Sequence, residues 1–153
     1  TKALTNAMSA AEAFQAGKGL PPAMVMPRVA TSSSADNHPP ARLLETTNHS
    51  SYWESSSSSP GTHWIELTSA REGVPLGEVS WYIKDYGSFT PREIVVKKRF
   101  GAMTSWDAGK HISLPVAPEG WRVLLSASEV SMADRVRIEI HQNHQNGCDS
   151  KVV

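Results

Sequence analysis

The C-terminal part of the chain alternates strictly between apolar and polar residues. The clearest run is RVRIEIH at positions 135–141, in which every second residue is a valine or an isoleucine. Successive side chains of a β-strand point to opposite faces, so this pattern predicts a strand with one buried and one exposed face. The predicted inward residues are Val136, Ile138 and Ile140, and the predicted outward residues are Arg135, Arg137, Glu139 and His141.

Five further runs after Thr62 also have the character of short strands with a period of two. Gly, Pro and Ser residues separate them, as is typical of the turns between antiparallel strands. A proline cannot donate to a sheet ladder, so Pro115 predicts that its strand lies near a sheet edge. Short alternating strands without intervening helices predict an all-β fold, an antiparallel β-sandwich. The five runs are HWIEL, EVSWYIK, REIVVKK, KHISLPV and WRVLL.

The N-terminal part of the chain has a different texture. Residues 1–16 are rich in alanine and place apolar side chains at helical spacing, which predicts a short amphipathic helix that glycines and prolines end. Residues 27–40 have the composition of a loop, and PARLLE at 40–45 predicts one helical turn. We therefore divide the chain into an N-terminal helix with a proline-rich linker, residues 1–28, and a β-sandwich domain, residues 29–153.

Composition narrows the range of functions. The 153 residues carry 15 basic and 15 acidic side chains, so overall charge favours neither nucleic acids nor anionic membranes as partners. No apolar run is long enough to span a bilayer, and no signal-like segment is present at the N-terminus. The single cysteine, Cys148, excludes an internal disulfide, which fits a reducing compartment. We expect a cytoplasmic location, with the nucleus as an alternative.

Catalytic and metal-binding motifs are weak in this sequence. His141 and His144 stand three residues apart, with His111, His63 or Asp149 as further candidate ligands. The end of a strand does not hold such a spacing as rigidly as a helical HExxH motif does. No GxSxG elbow surrounds a serine, and no local motif marks the cysteine as an activated thiol. We therefore expect no catalysis, no bound metal and no cofactor.

Three polar loops hold the residue types that contact ligands. They are SSYWESS at 50–56, DYGSFTPRE at 85–93 and NHQNGCD at 143–149. Loops at one end of an antiparallel sandwich converge on a rigid platform, so these three predict a shared binding rim. Single residues also have structural interpretations, namely a core anchor for Trp53, a turn for Asn146–Gly147 and a loop cap for Asp149.

These segments together resemble the DOC domain. TTNHSSYWESSSSSPGTHWIEL, SFTPREIVV and NHQNGCDS have the order and spacing of that family, and the similarity covers about residues 29–153. The family is named after the Doc subunit of the anaphase-promoting complex and recurs within large HECT-, RING- and cullin-type E3 ubiquitin ligases. The resemblance implies a galactose-binding-like jelly-roll β-sandwich with a non-enzymatic role, in which the loop rim holds a protein or peptide substrate against the ligase.

Matching positions in the family imply which residues contact the ligand. Tyr52, Trp53 and Ser55 would support the rim from the first loop. A peptide presents backbone amides and carbonyls, and amide side chains can pair with both. The residues implied as ligand-binding are Asp85, Gly87, Ser88, Phe89, Asn143, His144, Gln145, Asn146 and Asp149.

The chain departs from the family pattern at three places. Glu54 and the serine run replace a glutamine and an Asp-Gly pair that the family often has, and a carboxylate there would repel an acidic ligand. Cys148 stands where the Doc subunit has an arginine, so the same degron is not implied. The family continues into a final strand, which Val152 and Val153 either begin or replace by a different closing pairing.

We therefore expect a substrate- or partner-recognition module of an E3 ubiquitin ligase, of HECT or similar type, that also contacts other domains of its host. Two alternatives stay open. One is a lectin-like glycan-binding module, in which Trp53 or Phe89 stacks on a sugar ring. The other is a scaffold domain that only packs against the rest of its host protein.

Overall fold

The computed structural model describes residues 26–45, 47–59, 61–71, 73–85, 87–116, 118–147 and 149–153. The predicted N-terminal helix at residues 1–16 lies outside the described residues. Within them, no helix is long and apolar enough to cross a membrane.

The described residues form nine short strands and three short helical segments. The strands are β1 Arg28–Thr31, β2 Trp53–Glu54, β3 His63–Thr68, β4 Val79–Ile83, β5 Pro91–Arg99, β6 Lys110–Ser113, β7 Gly120–Leu125, β8 Arg135–Asn143 and β9 Lys151–Val152. The helical segments are two 3₁₀ helices, Pro40–Leu44 and Gly87–Phe89, and one α-helical turn, α1, Ala127–Val130.

The strands build a jelly-roll sandwich of antiparallel pairs. Five strands form one sheet in the order β1-β3-β8-β5-β6, while β2 pairs with β9 and β4 pairs with β7. Apolar side chains from the five-stranded sheet and from both strand pairs meet in one core, which excludes water between the layers. That core includes Trp53, Ile65, Val79, Trp81, Ile94, Val96, Leu124, Val136, Ile138, Ile140 and Val152.

The central strand β8 follows the predicted alternation. Val136, Ile138 and Ile140 are at most 3 % exposed, whereas the residues between them are half-buried or exposed. β8 pairs on one side with β3 and on the other with β5. The prediction of an all-β sandwich is therefore confirmed, together with the inward and outward faces of its most regular strand.

Other elements confirm or correct the sequence predictions. β6, the strand of KHISLPV, lies at a sheet edge as predicted, and PARLLE forms the predicted helical turn. The prediction that residues 27–40 are all loop is wrong, because β1 lies within them and pairs with β3. β1 is a four-residue edge strand with no fully buried residue, so its sequence carries almost no hydrophobic period.

The α1 turn was not predicted, although its start signal is present in the sequence. Ser126 Oγ accepts a hydrogen bond from the Glu129 amide at 3.3 Å, and the Ser126 amide donates to Glu129 Oε2 at 2.8 Å. This reciprocal pair is the capping box that an S-x-x-E sequence can form. It satisfies backbone amides that a single helical turn would otherwise leave unpaired.

Candidate functional site

The NHQNGCD loop is organised by Asn143, the last residue of β8. Its side-chain Nδ2 donates to the Asp149 carbonyl at 2.7 Å, and its Oδ1 accepts from the amides of Gln145 and Gly147, both at 2.9 Å. Its backbone amide donates to the Gly147 carbonyl at 2.8 Å. Asn143 is only 4 % exposed, so its side-chain amide fixes the loop conformation from the interior of the protein. It was predicted to contact the ligand, but its buried position suits a supporting role.

The residues that follow Asn143 form the outer surface of this loop. Gln145 and Asn146 are exposed, and Asn146 has the positive φ of 62° that an asparagine tolerates in a tight turn. The His144 amide donates to the Thr90 carbonyl at 3.1 Å, which joins this loop to the neighbouring one. His144 itself is half-buried, and its Nε2 has no hydrogen-bond partner among the described residues.

The loop before β5 contains a short 3₁₀ helix, Gly87–Phe89. Asp85 Oδ1 accepts from the Gly87 amide at 2.7 Å, and the Thr90 amide donates to the Gly87 carbonyl at 3.1 Å. Gly87 has φ +60°, a backbone conformation that favours glycine. These contacts turn the chain so that Ser88 is half-buried, whereas the Phe89 ring is 39 % exposed to solvent.

The first loop supports the site mostly from inside the fold. Trp53 is fully buried, and its indole Nε1 donates to the Ser33 carbonyl at 3.1 Å and to Ser34 Oγ at 3.0 Å. Trp53 is thus a core anchor, as its structural interpretation predicted. Ser55 is 3 % exposed and exchanges two hydrogen bonds with Ser150, one from each backbone amide. These bonds join the first loop to the end of the third.

Among the described residues, no backbone amide donates to the Asp149 carboxylate. The amides of Gln145 and Gly147 donate to Asn143 Oδ1, and Asp149 Oδ1 lies 3.3 Å from Nε2 of His63. His63 is 2 % exposed, and its Nδ1 is 3.1 Å from Ser33 Oγ. The imidazole therefore bridges the segment before β2 and the end of the third loop.

Lys151 brings the aromatic residues of two loops together. Its ammonium lies 5.3 Å from the centre of the Tyr52 ring and 5.0 Å from the centre of the Phe89 ring. Tyr52 stacks in turn on His38, with ring centres 4.0 Å apart. We use the name rim for the surface formed by Asp85, residues 87–90, residues 144–147, Tyr52 and Lys151. All three predicted loops thus meet at one end of the sandwich.

The charge of Glu54 is largely offset by its neighbours. Its carboxylate lies 3.7 Å from the Lys151 ammonium and 3.8 Å from Nε2 of His38. A partly exposed pair of this kind weakens the field that the carboxylate would exert on a ligand. The expected repulsion of an acidic ligand by Glu54 is therefore smaller than the sequence alone suggests.

A cavity of about 10 Å³ lies beside the rim, lined by Thr90, Lys151 and residues of β4, and such a volume holds about one water molecule. A larger cleft of about 60 Å³ lies between Trp81, Trp121 and His49.

The rim presents amide side chains, an aromatic ring and an ammonium group. No group of three His, Cys, Asp or Glu side chains suited to a metal occurs among the described residues. Tyr82 lies on β4 and lines the same small cavity as Thr90 and Lys151, and its 2.8 Å hydrogen bond to Glu119 raises its pKa.

Sequence reasoning missed Lys151 and His38. The register of β2 with β9 places Glu54 opposite Lys151, which carries the lysine into the rim. Two-residue strands have no periodicity, so the sequence held no direct signal for this pairing. β9, Lys151–Val152, pairs with β2, Trp53–Glu54, and this pairing fits both alternatives for the closing strand.

Comparisons with known proteins agree with this architecture. The family described as "Anaphase-promoting complex, subunit 10 (APC10)" matches residues 24–153. No curated protein matches the chain at a significant level.

Solved structures with a similar fold are lectin-like modules. One is a His 62 mutant of the lectin binding domain of lectinolysin complexed with Lewis b, with a TM-score of 0.61, 14% identity and coverage of 82% of this chain and 87% of that chain. A second is the family 32 CBM from C. perfringens NanJ in complex with galactose, with a TM-score of 0.58, 8% identity and coverage of 82% and 88%. A third is a Streptococcus pneumoniae fucose binding module, with a TM-score of 0.59, 14% identity and coverage of 82% and 85%. At these identities the likeness establishes a galactose-binding-like jelly roll.

Proposed function

The chain belongs to the anaphase-promoting complex subunit 10 (APC10) family, and from this premise we propose that its rim recognises a protein segment without catalysis of its own. Family membership makes the chain a protein-interaction module of the ubiquitin-ligase machinery. Our proposal adds the place of contact and the kind of ligand, a peptide or protein substrate of the ligase.

The observation that carries the proposal is the convergence of the three loops. Lys151 lies between the Tyr52 and Phe89 rings, and the His144 amide is bonded to the Thr90 carbonyl. A site built on the ends of rigid strands keeps its shape before the ligand arrives, which lowers the entropy cost of binding. The rim therefore offers a preformed contact surface.

The exposed groups of the rim suit the backbone of a peptide. Gln145 and Asn146 each present a side-chain donor and acceptor to solvent, and such amides pair with peptide carbonyls and amides. Phe89 adds an exposed ring beside the Lys151 ammonium. Contacts of this kind are modest alone and become effective when the same ligase holds the substrate at a second place.

The proposal extends to the host and the domain limits. We assign the sandwich to residues 29–153, with residues 1–28 as an extension, within an E3 ubiquitin ligase of HECT or similar type in the cytoplasm or nucleus. The resemblance to DOC domains supports this assignment. A HECT, RING or cullin segment in the same polypeptide would establish the type of host, and a polypeptide without any such segment would contradict it.

The direct test is peptide selection followed by substitution at the rim. A displayed library of random peptides is selected against the chain, and the affinity of the recovered peptides is measured by fluorescence anisotropy. We expect Phe89→Ala combined with Gln145→Ala to weaken binding by about tenfold or more, because both side chains are exposed on the rim. The melting temperature should stay near that of the unsubstituted chain.

Met132→Ala is the matched control. Met132 is 66% exposed and stands in the turn before β8, at the opposite end of that strand from the rim. It should leave peptide affinity unchanged. Equal loss in the control and the rim variant, or no loss in the rim variant, would refute the rim as the binding site.

A glycan is the second candidate ligand. The Phe89 ring is exposed and could stack on a sugar, and structures of the same fold were solved with Lewis b and galactose bound. A glycan array separates the two candidates. Binding to glycans, lost in Phe89→Ala, together with no selected peptide, would replace the peptide proposal by a lectin-like one.

A further inference from the structure

Three arginines stand in one row across the outward face of the five-stranded sheet. In the register of the strands, Arg99 of β5 is opposite Arg135 of β8, Arg135 is opposite Thr68 of β3, and Thr68 is opposite Arg28 of β1. Residues paired across strands point to the same face, and Val136 beside Arg135 points into the core. We call Arg28, Arg99 and Arg135 the arginine row.

The neighbouring row of the sheet shows how the fold neutralises such charges. There Arg137 is opposite both Glu66 and Lys97. Arg137 donates two hydrogen bonds to Glu66 Oε2, at 3.2 Å and 2.9 Å, and Lys97 Nζ donates to Glu139 Oε1 at 2.9 Å. Each cation in this row has a carboxylate of its own.

The carboxylate that pairs with Lys97 belongs to Glu139, which lies one row further along β8, opposite Trp64 and Val95. Desolvation alone would raise the pKa of Glu139, but the hydrogen bonds from Lys97 and His141 outweigh it and the pKa is lowered. The carboxylate therefore stays ionised beside its cation. Arg137 and Lys97 therefore both have a carboxylate partner within the protein and need no partner molecule to neutralise them.

The arginine row has no such compensation within the described part of the chain. None of its three side chains has a carboxylate at salt-bridge distance or a side-chain hydrogen bond there. Among the described residues, the buried Nε atoms of Arg99 and Arg135 have no hydrogen-bond partner. The Arg99 guanidinium makes a cation–π contact, 5.0 Å from the centre of the Trp106 ring.

This arrangement is unfavourable for the isolated domain. Like charges directly opposite each other in an antiparallel pair destabilise the sheet, and buried donors without partners add to the cost. An anion bound between the two partly exposed guanidinium groups would offset the repulsion between them. The energetics therefore favour a ligand of opposite charge at this place.

We propose that the arginine row binds an anionic segment of a partner protein through carboxylate or phosphate oxygens. Guanidinium groups form paired, bidentate hydrogen bonds with either oxyanion. Opposed Cα atoms in a strand pair are about 5 Å apart, so Arg99 and Arg135 can grip one anion together. Arg28 lies two strands from Arg135, roughly 10 Å away, and takes a second anion of the same segment.

The distribution of charge around the arginine row favours a protein segment over a nucleic acid as the partner. Basic and acidic residues are equal in number over the chain, and Glu66 and Glu139 lie in the next two rows along β8. The basic surface is thus one row wide, whereas a nucleic-acid backbone needs a longer basic track. The row lies at the opposite end of β8 from the rim, roughly 26 Å away, so this inference does not depend on the rim.

The test follows the side-chain Nε–H signals of Arg99 and Arg135 by NMR during titration. Three synthetic peptides share one sequence and carry two phosphoserines, two glutamates or two serines. We expect the phosphoserine peptide, the glutamate peptide or both to shift the two signals in a saturable way, and the serine peptide to leave them in place. The relative size of the two anionic responses identifies the source of the oxyanion.

Variants make the result specific. Arg99→Gln with Arg135→Gln should weaken binding of the anionic peptide by about tenfold or more without lowering the melting temperature. The control, Arg42→Gln with Arg122→Gln, removes the same charge from segments outside the five-stranded sheet and should change affinity less than about twofold. Equal loss in both variants refutes the site.

Other results would also overturn the inference. It fails if neither anionic peptide shifts the two signals, or if the serine peptide shifts them equally. A single-stranded RNA oligonucleotide that shifts them in preference to both anionic peptides would overturn the assignment to a protein partner.

Discussion

The polar residues at the two ends of β8 differ in how far the fold pairs their hydrogen-bonding groups and charges. At the C-terminal end, Asn143 is 4 % exposed and its side chain makes three hydrogen bonds to the loop that follows. At the N-terminal end, Arg135 faces Arg99 across the strand pair and has no hydrogen-bond partner for its buried Nε among the described residues. The Asn143 side chain is satisfied within the fold, whereas the charges of Arg135 and Arg99 have no carboxylate partner among the described residues.

This difference separates two ways in which a fold prepares a surface. Asn143 uses its hydrogen-bonding capacity within the protein, so that exposed neighbours such as Gln145 are held in place for a ligand. The arginine row instead has no carboxylate partner among the described residues, and its guanidinium groups stay partly exposed. A residue type alone does not tell which of these roles a polar side chain has, because the pairing within the fold decides it.

The largest effect should follow from Asn143→Ala. The substitution removes three hydrogen bonds, to two loop amides and one loop carbonyl, which should lower the free energy of unfolding by roughly 2–4 kcal/mol. Urea denaturation measures this loss. Asn143→Asp keeps the acceptor oxygen and should cost less. A loss below about 0.5 kcal/mol for the alanine variant would show that the loop does not depend on this amide.

A smaller loss should follow from Arg137→Gln, in the compensated row. Arg137 is bonded to Glu66 and lies between the rings of Trp64 and Trp106, at 4.6 Å and 4.8 Å from their centres. Losing these contacts should cost about 1–2 kcal/mol in a urea titration. An unchanged denaturation midpoint would mean that this row is no better compensated than its neighbour.

Arg135→Gln should have the opposite sign. It removes one of two like charges that face each other, so stability should stay the same or rise by up to about 1 kcal/mol. Comparison of its denaturation midpoint with that of Arg137→Gln tests the contrast between adjacent rows on one strand. A loss as large as that of Arg137→Gln would contradict it.

The smallest effect concerns pH. Hydrogen bonds from Lys110 and from the Ser126 backbone lower the pKa of Glu129 from 4.5 to about 2. Because the pKa is lower in the folded state, the stabilising effect is present above about pH 4.5 and is lost as the pH falls towards 2. The carboxylate is 41% exposed, so solvent keeps this effect small.

Glu129→Gln tests that pH dependence. The melting temperature of the variant should fall less between pH 5 and pH 2.5 than that of the unsubstituted chain, because the variant has no proton to take up at this position. Parallel curves would show that the Lys110–Glu129 pair does not couple protonation to folding.

Much of the fold could be predicted because one face of each long strand is apolar. Val136, Ile138 and Ile140 are spaced by two because the core takes every second side chain of β8. β1 escaped prediction because a short edge strand has little buried area to impose such a period. β2 and β9 have two residues each, and only their mutual pairing defines them.

The sequence predicted which loops form the candidate site. It did not predict which side chains of those loops are buried and which are exposed. Loop composition indicated where the polar tips meet, and the structure brings residues 52, 89 and 144 to the same end. Composition could not reveal that Asn143 is buried, since an amide serves equally well as a loop brace or a ligand contact. Lys151 was missed because strand register, a long-range property, carries it there.

The central claim is that the three loop tips form one surface for a protein segment. Mapping of backbone amide chemical shifts, with the tightest peptide from the selection, tests it most directly. The account predicts that the largest changes fall on residues 87–90 and 144–147, with residues 135–137 unaffected. Largest changes elsewhere on the sandwich, with both loops undisturbed, would contradict it.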